Sequence, residues 1–216
     1  MEPELIDDPS LPEETLALVY KDLLWTHRFL GNIRALLSEL RRLKQPLRHV
    51  LDIGCGRGEL LLEIRRKMEV ETVGVELRLP PTFHVDVKII QANAVCDPLP
   101  TCDVALDVCV VHHVTDEGVV ELIRNVGRSC ARLVILDLVR HPLPLILFRC
   151  FVAPFLHWIN AVDGISSIRR SYTPRELESL VRRALQGSLG TYRHSVGWLY
   201  IRQIVDISYR SEPALH

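Results

Sequence analysis

One decapeptide constrains this chain more than anything else in it: Val50-Leu-Asp-Ile-Gly-Cys-Gly-Arg-Gly-Glu59. The apolar run His49–Ile53 reads as a strand, and Glu59–Lys67 has helical spacing at Leu60, Leu61 and Ile64. The glycines between them let the backbone turn tightly and approach a ligand closely. Strand, glycine turn and helix in that order open a parallel sheet with crossover connections. The alternation continues. Glu71–Val75, Val87–Gln91, Val104–Val111 and Leu133–Leu138 read as further strands, with Asp116–Ser129 helical. Thr173-Pro-Arg-Glu176 reads as a capping box opening a helix to about Leu185. Gly190–Ser208 carries two strand-like runs split near Gly197, suited to a hairpin.

The fold class expected is therefore α/β: a Rossmann-like, seven-stranded, mostly parallel sheet with an antiparallel C-terminal hairpin. Before it, Ser10-Leu-Pro-Glu13 reads as a capping box, and apolar steps of three or four residues run from Leu16 to Leu43, with Gly31 as a break. Residues 1–46 thus form a helical cap, 47–208 the main domain and 209–216 a tail. After the fifth strand, an insertion at about 141–172 contains the very apolar stretch Pro142–Ile159. Pro144, Arg149, Pro154 and His157 interrupt it, so it does not offer the ~20 continuous apolar residues of a membrane span. It is either one or two buried helices or a lipophilic lid with peripheral membrane contact.

The glycine spacing is G-x-G-x-G, and Glu59 stands where a dinucleotide fingerprint needs glycine. Glu59 also places a carboxylate at a helix N-terminus, where a pyrophosphate would sit. Asp52 adds a second negative charge, so a cationic ligand is favoured over an anionic one. Glu76, eighteen residues past Gly58, ends the second strand, where an acid accepts hydrogen bonds from ribose hydroxyls. A ribose, a positive charge and no phosphate describe S-adenosylmethionine.

On these residues the chain resembles a class I S-adenosylmethionine-dependent methyltransferase, from about Leu47 to Val205. The glycine segment matches the family's first motif and Val-Gly-Val-Glu76 the second. Gln91–Pro100 is similar to the third, and Cys102–His113 to the fourth. The resemblance implies a cofactor site at Asp52, Gly54, Cys55, Gly56, Gly58, Glu76, Leu77, Asn93, Ala94, Cys109, Val110 and Val111. Asn93 departs from the family's usual acid, although its amide oxygen still accepts a hydrogen bond. Leu5–Pro9, Arg28–Gly31, His112-His113 and Asp163–Pro174 look like the ubiquinone/menaquinone-biosynthesis-like group, in particular small bacterial enzymes associated with polyketide and phenolic-lipid pathways.

Phenol methylation needs a base, and histidine is the usual one near neutral pH. His112 and His113 follow the fourth strand and His141 the fifth, at the end where open α/β sheets bind ligands. These are the catalytic candidates. Tyr20, Trp25, Arg140, Phe148 and Arg169 are the substrate-side candidates, with Asp163–Arg170 as a substrate loop. An adjacent histidine pair without further spaced ligands is a poor metal signal, so no metal is expected.

Lys+Arg 26 against Asp+Glu 27 in 216 residues leaves a net charge of -1, without the basic excess of a general nucleic-acid binder. The expected partner is a small lipophilic aromatic acceptor, methylated on oxygen, or on carbon as the alternative. A nucleic-acid or protein methyltransferase and a cofactor-binding module without turnover are the competing readings. The six cysteines include no C-x-x-C pair, and the N-terminus lacks a signal peptide's pattern, so reduced thiols and a cytoplasmic setting are expected.

Overall fold

The computed structural model describes residues 4–8, 10–43, 46–84 and 86–209. The elements in chain order are α1 (Glu13–Phe29), α2 (Asn32–Arg41), β1 (His49–Ile53), α3 (Glu59–Lys67), β2 (Glu71–Glu76), β3 (Lys88–Gln91), β4 (Cys102–Val108), α4 (Asp116–Ser129), β5 (Cys130–Leu138), α5 (Pro142–Phe151), α6 (Trp158–Arg170), α7 (Pro174–Leu185), β6 (Thr191–Val196) and β7 (Arg202–Ser208). Short 3-10 turns lie at Leu5–Asp7, Val111–His113, Ala153–Phe155 and Trp198–Tyr200.

The seven strands form one sheet in the order β3-β2-β1-β4-β5-β7-β6. β1, β2, β3, β4 and β5 pair in parallel, and β7 enters antiparallel to both β5 and β6. The strand order reverses between β1 and β4, which opens a crevice above their carboxyl ends. Strands buried on both faces are near-continuous in apolar residues, as Leu133–Leu136 is. On one face Val119, Leu122 and Ile123 of α4 and Leu177 and Val181 of α7 pack with Leu133 and Ile135. On the other, Ile33, Leu36 and Leu40 of α2 and Ile64 of α3 pack with Leu106 and Leu136.

Helix α7 begins with the expected capping box: Thr173 Oγ1 accepts from the Glu176 backbone, and the Glu176 carboxylate accepts from Thr173 N–H. The box expected at Ser10 does not form. Ser10 turns back onto Asp8 through both its N–H (2.8 Å) and its hydroxyl (2.7 Å), and Pro12 is the N-cap of α1 without a side-chain bond. Gly31 separates α1 from α2 with φ 73°, a conformation that suits glycine.

Two readings need correction. Tyr209 is no tail residue: its hydroxyl donates to Ile123 O at 2.6 Å, and its ring lies against Gly127. The rest of the expected tail, 210–216, lies outside the described residues, as do Pro9 and residues 1–3. The thiols are not all free. Cys102 and Cys130 are register partners at the start of β4 and β5 and form a disulfide, whereas Cys55, Cys96, Cys109 and Cys150 are unbridged.

The apolar insertion is two-faced. Phe148, Val152, Ile159 and Ile168 are buried, while Phe151, Phe155 and Trp158 are 63%, 75% and 60% exposed. No described helix is long and apolar enough to cross a membrane.

Candidate active site

The glycine turn carries Gly54, Gly56 and Gly58 at φ 66°, 55° and 89°, all left-handed. Space requires all three as well, with Val87 3.0 Å from where a Cβ on Gly58 would lie. A Cβ on Gly54 would lie 2.6 Å from Val110 Cγ2, and one on Gly56 would lie 3.2 Å from the Tyr20 ring. Glu76, at the tip of β2, accepts from Gly56 N–H at 2.9 Å and from Leu77 N–H at 3.1 Å. Its carboxylate therefore sits across the mouth of the turn. Asp52 is buried beneath, and burial, Asp107 and Glu76 together push its carboxyl well above the usual carboxylate range. Helix α1 roofs this crevice through Tyr20, Leu24 and His27, leaving a cavity of about 90 Å³. Burial pushes the pKa of His27 down to about 4, so it presents a neutral imidazole there.

The cofactor candidates fall into groups. Gly54, Gly56, Asp52 and Cys55 line the crevice, but the Cys55 thiol turns under the loop against Gly74 and Leu61. Val110 closes on Gly54, while Val111 is wholly buried in the core and gives its N–H to Asp107 at 3.2 Å. Cys109 adopts φ 61° as β4 ends, and its N–H donates to Leu136 O. Leu77 is 58% exposed. Asn93 spends its amide oxygen on Val95 N–H and its own N–H on Asp97, and the carbonyl of buried Ala94 takes a bond from Asn125.

Beyond Cys109 the chain winds into the turn Val111–His113 and brings the two histidines to the carboxyl edge. His112 is buried, and its Nδ1 lies 2.7 Å from Asp137 Oδ1 at the end of β5. Its Nε2 is buried with no hydrogen-bond partner. Burial pulls the His112 pKa down, but the Asp137 charge and hydrogen bond and the Glu4 charge outweigh it, so the pKa is raised. His113 is pushed the other way by burial, His112 and Arg170. Its Nε2 lies 3.7 Å from Glu4. Glu4 also accepts from Arg170 Nη2 at 2.5 Å and from the Ser167 hydroxyl. The carboxylate of buried Asp163 accepts the Leu5 and Ile6 N–H groups at 3.0 and 3.1 Å.

This cluster moves several expected residues aside. Asp163–Arg170 is no loop but the end of α6, because Trp158–Ser167 continues its helical bonding; Arg170 faces inward and Arg169 is exposed. His141 is the N-cap of α5: its Nδ1 accepts from Leu143 N–H, and its ring stacks on Tyr200. Arg140 is exposed and paired with Glu176. Phe148 is core, packed against Gly164. Trp25 is 40% exposed and stacks on Phe29. Tyr20 alone of the substrate-side set lines the crevice, with Arg57 over its ring.

Sequence reasoning missed Glu4, Asp107 and the role of Asp137, and it offered Arg170 only as the alternative to Arg169. Two of these had a signal: Asp107 and Asp137 are acids that follow the apolar runs Val104–Leu106 and Leu133–Leu136, and a buried charge at a strand end marks a functional-site candidate. Burial and then Asp137 push the pKa of Asp107 up to about 7. Ligand atoms of Glu4, His112 and His113 lie within 4.8 Å of one another, a spacing a metal ion would accept. The Arg170 guanidinium already bound to Glu4 puts a positive charge at that spot, which opposes a cation.

No family model and no curated protein matches the chain. Solved structures do. The plantazolicin methyltransferase BpumL in complex with SAH is 14% identical, with a TM-score of 0.69 over 95% of this chain and 92% of that one. Human N-acetylserotonin methyltransferase in complex with SAM is 13% identical, with a TM-score of 0.52 over 76% and 48%. The mitomycin 7-O-methyltransferase MmcR is 18% identical, with a TM-score of 0.54 over 76% and 49%. The chain has the fold of these methyltransferases.

Proposed function

We propose that this chain is a methyltransferase that takes its methyl group from S-adenosylmethionine and acts on the oxygen of a small, lipophilic aromatic acceptor. The observation that carries the reading is the crevice itself: a left-handed glycine turn whose mouth holds Glu76 and whose floor holds Asp52, with Glu59 at the start of α3. Acids there repel a phosphate and suit a ribose beside a positive charge. The residues fit such a ligand in kind: Glu76 at the mouth, and Asp52 and Glu59 lining the crevice, offer acceptors to ribose hydroxyls and to a neighbouring positive charge. Several fold neighbours were solved with SAH or SAM, which supports the same reading.

Glu76 would hold the ribose hydroxyls, and Tyr20 and His27 would keep water out from above. The bound cofactor supplies an electrophilic methyl on a sulfonium. His112 supports methylation at oxygen: held by Asp137 in one orientation, its Nε2 takes the proton of an acceptor hydroxyl, and the Asp137 carboxylate steadies the imidazolium formed. Methylation at carbon is the second reading, favoured if His112 proves dispensable. The ubiquinone-like subgroup, a cytoplasmic setting and indifference to nucleic acid belong to the same proposal. So does peripheral contact of Phe151, Phe155 and Trp158 with lipid, which their exposure favours.

Calorimetry with S-adenosylhomocysteine, NAD and ATP tests the cofactor. Binding of the first alone is expected; preferential binding of NAD or ATP overturns the proposal. Incubation with labelled S-adenosylmethionine and a panel of phenols then reads the acceptor.

A further inference from the structure

Glu4 reaches the catalytic edge from far away in sequence. Arg170 and Ser167, which both bind its carboxylate, lie 166 and 163 residues along the chain. The segment that carries it is a single 3-10 turn, Leu5–Asp7, fastened to α6 by two backbone N–H bonds to Asp163. Its apolar anchorage is thin, since Leu5 is 37% exposed. The cradle itself is built into the fold. Ser167 is buried on α6, and the Arg170 guanidinium is 18% exposed one turn further on. His113 stands on the turn after β4. A guanidinium and a hydroxyl bonded to one carboxylate, with the His113 ring nitrogen 3.7 Å from it, make an anion receptor. Beside it, within 4.8 Å of the Glu4 and His113 ligand atoms, is a ring nitrogen of His112. His112 Nδ1 is taken by Asp137, and its Nε2 is buried without a hydrogen-bond partner among the described residues.

We infer that Arg170, Ser167 and His113 form a receptor for a carboxylate on the methyl acceptor, and that Glu4 is an internal occupant which the acceptor displaces. The acceptor class is then an aromatic hydroxy acid with hydroxyl and carboxylate on neighbouring ring carbons. A carboxylate in the place of Glu4's sets the adjacent hydroxyl at His112 Nε2, the group proposed above to take its proton. This inference rests on the methyltransferase reading for its chemistry, but not for its binding step. A displaceable acid also makes the receptor selective. Glu4 has no reason to leave for a neutral phenol, whereas a carboxylate replaces the ion pair it breaks.

The test is a calorimetric titration of the full chain with salicylate and, separately, with phenol. S-adenosylhomocysteine is titrated into the same samples. Glu4→Gln keeps the size of the occupant and removes its charge, so it should bind salicylate about tenfold more tightly than the natural chain. Arg170→Gln should weaken salicylate binding by at least about tenfold, and Ser167→Ala by a few-fold. Phenol should show none of these changes. Unchanged or weaker salicylate binding by Glu4→Gln overturns the inference, as does a parallel change with phenol. If Glu4→Gln folds poorly, Arg170→Gln and Ser167→Ala decide alone: salicylate binding indifferent to both overturns it. Normal S-adenosylhomocysteine binding with no salicylate effect sinks the receptor and spares the methyltransferase. Loss of S-adenosylhomocysteine binding in the natural chain sinks the methyltransferase whatever salicylate does.

Discussion

The two ends of the sheet differ in a way that volume hides. At the amino end, a hollow of about 320 Å³ is bordered by His49, Arg65, Glu71 and Lys88. Its charges face solvent: His49 lies 3.6 Å from Glu71 and 3.7 Å from Asp103, with all three side chains well exposed. At the carboxyl end the cavity is smaller, about 90 Å³, yet buried Asp52 lines it, and Asp107, Asp137 and His112 are buried at the carboxyl ends of β4 and β5 beyond it. Taking a charge out of water costs several kcal/mol unless it is paired; Asp137 and His112 are paired, while the raised pKa values of Asp52 and Asp107 favour their neutral forms. Buried ionisable groups, more than open space, therefore mark the candidate site.

The contrast breaks most visibly at His112. Replacing it by Ala should lower the turnover number about 100-fold or more while S-adenosylhomocysteine affinity stays within about twofold. A smaller loss moves the base elsewhere. The pH profile sharpens the assignment. His112 must be neutral to take a proton, and its pKa is raised, so the rate should climb with pH through a limb above the ordinary histidine value of 6.5. Asp137→Asn removes the charge that raises it and should slide that limb to lower pH, readable in kcat/KM against pH. Next in size, Glu76→Ala removes an acceptor at the crevice mouth and should weaken S-adenosylhomocysteine binding about tenfold by calorimetry. Thr173→Ala deletes the side-chain cap of α7 and should cost about 1 kcal/mol in denaturant unfolding with cofactor affinity intact. The smallest effect belongs to the amino end. Glu71→Gln should change stability by less than about 0.5 kcal/mol and binding not at all. A binding loss there as large as that of Glu76→Ala would abolish the distinction between the two ends.

The glycine turn was legible because everything it needs is local: a strand before, a helix after, and three residues able to take positive φ. Helices α3 and α4 and strand β1 fall where their periodicity puts them. Strand β4 stops short of the expected Val111 for a reason periodicity cannot carry. Cys109 swings to φ 61°, and Val110 and Val111 stay apolar because they pack on Gly54 and in the core, not because they extend the strand. The proposed acceptor side was legible only in part, since His112 could be named but not its partners. Glu4, His112, Asp137 and Arg170 come from four separate places in the chain, and only the closed fold makes them neighbours. Choosing Arg169 over Arg170 shows the limit: adjacent arginines on one helix differ by about 100° in direction, which composition does not record.

One contact joins the last strand of the sheet to the first helices of the chain. Arg202, the first residue of β7, donates to Leu30 O at 2.6 Å and to Asn32 Oδ1 at 2.8 Å, pinning the joint between α1 and α2. Other bonds hold α1 to parts of the chain made before β7, Arg28 to Glu63 and Arg57 to Glu13 among them, so during synthesis the roof is seated first and its α1–α2 joint is latched last.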